Sequence, residues 1–138
     1  MLASSSEMTI ALQSCDGEVV HVKRTIGLQS LFIERKIRLN LVESPIVLEY
    51  INAETLNMVV DYCNRHAELS NSNDKAALDS FDAEFVSVDR KTLFHLIHAA
   101  HYLKIYTLMD LTCQTLSHKI KGKNVEEIKE AVKNWRLE

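Results

Sequence analysis

The sequence predicts a small α/β domain of the α+β kind, in which a β-hairpin and a short sheet are flanked by helices. Three observations predict it. Apolar side chains alternate with polar ones on both sides of an Asp16-Gly17 pair near the N-terminus. Later segments place apolar residues at helical spacing behind residues that cap helices. At 138 residues, 46% hydrophobic and 25% charged, the chain is long enough to build one core without staples.

Taken in order, Met8, Ile10 and Leu12 alternate with polar neighbours, the period of a half-buried strand. Asp16-Gly17 is a strong turn signal because both residues accept positive φ. Val20 and Val22 then alternate with His21 and Lys23, which completes a hairpin. Thr25 is suited to cap a short helix over 26–37. The run Pro45-Ile46-Val47-Leu48 opens with the only proline and reads as a strand. Asn52 is a good N-cap for a helix whose Leu56, Val59, Val60 and Cys63 share one face. Residues 69–80 are polar, rich in Ser and Asn, and read as a loop. Phe85 to Val88 reads as a short strand or bridge. Asp89 caps the next helix, and Thr107 starts another with a stripe of Met109, Cys113, Leu116 and Ile120, closed by Gly122. Asn124 to Glu127 resembles a capping box for a last helix lined by Val125, Ile128, Val132 and Trp135.

The bulk properties exclude several function classes. Net charge is -3, too small to argue for nucleic acid. It is unevenly spread: residues 1–88 hold 7 basic and 13 acidic side chains (-6), and residues 89–138 hold 9 and 6 (+3). The three cysteines, Cys15, Cys63 and Cys113, are widely spaced, lack any Cys-x-x-Cys, and point to a reducing compartment. The N-terminus MLASSSEM has neither the basic start nor the apolar core of a signal peptide, and no apolar run reaches membrane-span length. A nuclear and cytoplasmic location is expected, with no membrane and no nucleic acid as partner.

The run LFHLIHAAHYL holds three of the six histidines. On a helix turning by about 100° per residue, Leu93, Leu96, Ile97, Ala100 and Leu103 form the core stripe. His95, His98 and Tyr102 fall on the opposite side, with His101 at its edge. The three histidines fan too widely to meet one tetrahedral ion, so no metal site is expected. The face is read as solvent-facing or partner-facing, and Tyr102 is the amphipathic type enriched at interfaces. Cys63-Asn-Arg-His66 has a Cys-x-x-His spacing, but Cys63 lies on an apolar stripe and reads as a small core hydrophobe. No phosphate loop, nucleophile elbow or zinc-protease motif occurs. Pattern alone therefore leads to a small α/β interaction domain with no motif that calls for a cofactor; a metal-dependent or cysteine enzyme would rest only on His95, His98, His101 and Cys63.

Longer runs carry a resemblance. LQSCDGEVVHV (12–22) resembles an opening of the form LxSSDGExFxV. NAETLNMVVDYCNRH (52–66) resembles NxxxLxKVIxYCxxH. DAEFVSVDRKTLFHLIHAAHYLKIYTLMDLTCQTLSHKIKGKNVEEIKE (82–130) resembles a third family run built around AANYLxIKxLLDLTC and MIKGKTPEEIR. These motifs belong to the S-phase-kinase-associated (Skp) adaptors of SCF ubiquitin ligases. The chain is identified as a member of that family, and the wording DLTCQT is most similar to its plant Skp-like members. Elongin C shares the core but stops near the equivalent of Ile105, whereas this chain continues through Lys-Gly-Lys.

The resemblance implies a BTB/POZ fold with a C-terminal helical extension, divided as a cullin-facing core over 1–105 and an F-box-binding extension over 106–138. It implies a non-catalytic adaptor whose partners are F-box proteins and a cullin scaffold with its RING-box protein. The implied cullin contacts are His101, Tyr102, Ile33 and Lys36. The implied F-box contacts are Ile97, Ala100, Leu108, Leu111, Ile120, Val125, Ile128, Val132 and Trp135. The chain departs from the family in four ways. His101 stands for an Asn. Lys36 stands for an apolar Met, within LFIERKI. Phe81 stands for a Trp. After AVKNWRLE the family's further helices are lacking, which implies a weaker F-box grip. The competing reading is a BTB-type self-association or scaffold module without F-box binding.

Overall fold

The structure is a computed structural model that describes residues 9–39, 44–119 and 126–127. Strands β1 (Thr9–Gln13) and β2 (Val19–Lys23) form an antiparallel hairpin. β3 (Ile46–Val47) pairs in parallel with β1 through Leu12↔Ile46 and Gln13↔Val47, giving the sheet order β2-β1-β3. Among the described residues the helices are α1 (Arg24–Gly27), α2 (Leu31–Arg38), α3 (Ala53–Ser72), α4 (Lys75–Phe85), α5 (Arg90–Leu103) and α6 (Tyr106–Lys119). The α/β reading is therefore correct.

The hairpin turns where Asp16-Gly17 placed it, though only Gly17 takes positive φ (+92°). Asp16 is used through its side chain instead. Its carboxylate accepts from the Ser14 hydroxyl and from the Ala53 N–H at 2.9 Å, which ties the turn to the start of α3. These bonds hold the Asp16 carboxyl below the usual carboxylate range, the Ser14 bond foremost. One sheet face, with Ile10, Leu12, Val22 and Ile46, is buried against the helices.

The single helix expected over 26–37, capped by Thr25, is two helices. Lys23 occupies the N-cap position of α1 and makes no side-chain cap bond. The break follows from Ser30, which is 3% exposed and joins two helix ends. Its Oγ accepts from the Ile33 N–H at 3.2 Å, capping α2, and donates to the Leu103 carbonyl at the end of α5 at 2.6 Å. Gly27 fits α1 beneath the sheet, where an added Cβ would lie 3.0 Å from Ile10 Cδ1.

The loop expected over 69–80 is also helical. α3 continues to Ser72, Asn73 turns the chain in the left-handed region (φ 58°), and Asp74 caps α4 by accepting from the Ala77 N–H at 3.0 Å. Composition hid this pair because most of α4 faces solvent and only its Phe81 and Phe85 side lies against α3. There the His66 Nε2–H donates to Asp82 Oδ1 at 2.6 Å, and the His66 ring stacks on Tyr62 at 4.0 Å. No strand forms over 85–88. Phe85 ends α4, and the Val86 and Ser87 N–H groups are spent on the carbonyls of Asp82 and Glu84.

The caps Asn52 and Asp89 are as expected, each accepting at 2.8 Å, from Thr55 N–H and Thr92 N–H. α5 is the central helix: Leu93, Leu96, Ile97 and Ala100 are all at 0% exposure. It ends in a left-handed Lys104 (φ 55°), and the Ile105 N–H closes the turn on the Ala100 carbonyl. α6 packs Met109, Cys113 and Leu116 inward as read, together with Leu108 and Thr112. The rest of the expected stripe, Ile120, and the last helix with its capping box lie outside the described residues, apart from helical Glu126 and Glu127.

Candidate docking site

Three elements bring aromatic rings to one place on the surface. α5 contributes Tyr102 and His98, α2 contributes Phe32 and Lys36, and the connection from β3 to α3 contributes Tyr50. The Tyr102 ring lies 5.0 Å from Phe32 and 5.8 Å from Tyr50, the latter edge-on. Tyr50 also meets His98 edge-on at 6.2 Å. Lys36 Nζ sits 5.3 Å from the centre of the Phe32 ring, a cation–π contact. Ser30 fixes the arrangement, since it pins the start of α2 to the end of α5.

The residues read from the sequence divide between this surface and the core. Tyr102, His101, His95 and Lys36 are half-buried and reach the surface. His98, read from the sequence as part of a solvent-facing or partner-facing face, does not reach the surface. It is buried, with the Tyr50 ring edge-on against it. Burial, followed by the neighbouring His101 and His95, pulls its pKa below the usual imidazole range. Burial raises the Tyr102 phenol, with the Glu49 carboxylate adding to the rise. Ile33 is 2% exposed and lies in the core rather than on this surface.

On the expected F-box side, Ile97, Ala100 and Leu108 are sealed at 0% exposure. They shape that side from within and present no surface of their own. Leu111 is half-buried and reaches it. Ile120, Val125, Ile128, Val132 and Trp135 lie outside the described residues. Sequence reasoning missed Phe32 and Tyr50. Phe32 is an apolar residue beside a buried Ile33, and Tyr50 sits in a connection with no periodicity to mark it.

The chemical alternatives find no geometry. Burial pushes the Cys63 thiol up to about 12, so it carries no thiolate at neutral pH. Cys113 is fully buried. His66 is engaged with Asp82 and Tyr62 in joining α4 to α3. Burial likewise pushes the Tyr62 phenol to about 12, and its hydroxyl donates to Thr107 Oγ1 at 3.1 Å. Among the described residues no three His, Cys, Asp or Glu side chains are grouped to hold a metal ion, and no helix is long and apolar enough to cross a membrane.

Comparison with known proteins gives two family matches. Residues 8–68 match the description "Skp1 family, tetramerisation domain", and residues 106–132 match "Skp1 family, dimerisation domain". SKP1-like protein 20 of Oryza sativa subsp. japonica is 37% identical over 145 residues, covering 91% of this chain and 83% of that protein. SKP1-like protein 1A of Arabidopsis thaliana is 38% identical over 133 residues, covering 90% and 83%. The SCF ubiquitin ligase complex protein SKP1a of Dictyostelium discoideum is 36% identical over 129 residues, covering 87% and 80%.

Proposed function

This chain belongs to the Skp1 family, and we propose that it acts there as a non-catalytic adaptor of an SCF-type ubiquitin ligase. In this reading it links a cullin scaffold, with its RING-box protein, to F-box proteins that choose substrates for ubiquitination and degradation. The observation that carries the reading is kinship over most of the chain with a protein whose name places it in an SCF ubiquitin ligase complex. The aromatic surface around Tyr102 supports it, because a half-buried Tyr102, an exposed Tyr50 and a Phe32 carrying the Lys36 cation suit a protein partner better than a small molecule. We assign that surface, with His101 and Lys36, to the cullin. We assign the side marked by Leu111 and the residues after Lys119 to the F-box.

The test is to titrate the purified chain separately with a cullin N-terminal domain and an F-box domain. Binding to both is expected, and Tyr102→Ala should weaken only the cullin. A folded chain that binds neither overturns the adaptor role.

A further inference from the structure

We infer that the docking surface is anchored by Tyr50, a residue off the α5 helix, and that its occupant is the scaffold partner proposed above; the inference rests on that reading. Tyr50 is 51% exposed, yet its neighbours Leu48 and Ile51 are at 0% and 1%. The backbone on either side of it is tied down. The Leu48 N–H donates to the Gln13 carbonyl at 2.8 Å, the Ile51 N–H to the Leu48 carbonyl at 3.4 Å, and the Cys15 N–H to the Ile51 carbonyl at 2.8 Å. Asn52 then caps α3.

An exposed ring on so fixed a connection loses little freedom when a partner covers it. Rigid aromatic anchors of this kind concentrate binding energy. Tyr50 is also continuous with the rest of the surface, since its ring touches both Tyr102 and His98. The surface presents the rings of Phe32, Tyr50 and Tyr102, with the Lys36 ammonium over the Phe32 side. That chemistry fits a helix face of aliphatic side chains that carries a carboxylate at the Lys36 edge.

The experiment compares Tyr50→Ala, Tyr50→Phe and Tyr102→Ala in the full chain, titrated with the cullin N-terminal domain, with melting temperature as the control for folding. Tyr50→Ala should weaken scaffold binding by at least about tenfold, the loss expected of a central interface tyrosine, in a chain that stays folded at the assay temperature. Tyr50→Phe keeps the ring and should stay close to the parent chain. If Tyr50→Ala binds like the parent while Tyr102→Ala is weakened, Tyr50 is no anchor and the adaptor reading stands. If the parent chain itself fails to bind, the adaptor reading falls and this inference with it. If light scattering shows that Tyr50→Ala abolishes self-association and spares scaffold binding, the occupant is a second copy and the inference is overturned.

Discussion

Replacing Ser30 with Ala tests whether one hydroxyl holds the docking surface together. In the structure Ser30 Oγ serves two helix ends at once, accepting from the Ile33 N–H at 3.2 Å and donating to the Leu103 carbonyl at 2.6 Å. Losing an N-cap costs about 1 kcal/mol. Stripping the donor from a carbonyl buried beside a residue only 3% exposed costs a further ~1–3 kcal/mol. The expected loss is therefore about 2–4 kcal/mol. For a domain of this size each kcal/mol lowers the melting point by roughly 3–5 °C. Urea denaturation of the parent, Ser30→Ala and Ser30→Thr reads the loss directly. Ser30→Thr retains the hydroxyl and should recover much of it. A loss below about 0.5 kcal/mol for Ser30→Ala, the scatter of ordinary surface changes, would refute the reasoning.

Two further predictions follow from burial. Under native conditions a thiol reagent should modify exposed Cys15 quickly, and buried Cys63 and Cys113 only as the chain unfolds; three fast thiols in the native chain would contradict the core. His98 has a folded-state pKa below its unfolded one, so its contribution to stability is present above the unfolded value of 6.5 and is lost as pH falls through the folded value. Acid titration of stability below about pH 6.5 should therefore be flatter in His98→Leu than in the parent, and equal slopes would contradict the burial of His98.

Local chemistry was legible wherever one residue type decides one local event. Gly17, Asn52 and Asp89 were read correctly because a positive φ or a helix start needs little beyond its own neighbours. The α5 core stripe was legible because burial repeats with the helical period. α4 was not legible, because its hold on α3 comes from a His66–Asp82 bond and a ring stack across sixteen positions, not from an apolar stripe. The division of α1 from α2 was hidden for a related reason. Ser30 looks like any other helix residue until Leu103, far along the chain, arrives to accept from it. The docking surface was half legible: Tyr102 stood out on α5, while Phe32 and Tyr50 join it only through tertiary convergence. The same convergence turned His98 from an expected surface residue into a buried one.

The parallel pairing of β1 with β3 bears on how firmly the aromatic surface is held. The β1–β2 hairpin closes over a few residues, but β3 meets β1 only after α1 and α2 have been laid down, and through a ladder of two residue pairs. Tyr50 hangs directly behind that short ladder, and the Leu48 N–H that continues it belongs to the same stretch. This side of the aromatic surface thus rests on the thinnest seam of the sheet, two residue pairs against the five of the hairpin. In native-state hydrogen exchange, the amides of Leu48 and Ile51 should open before those of α5, and a bound partner should slow them most.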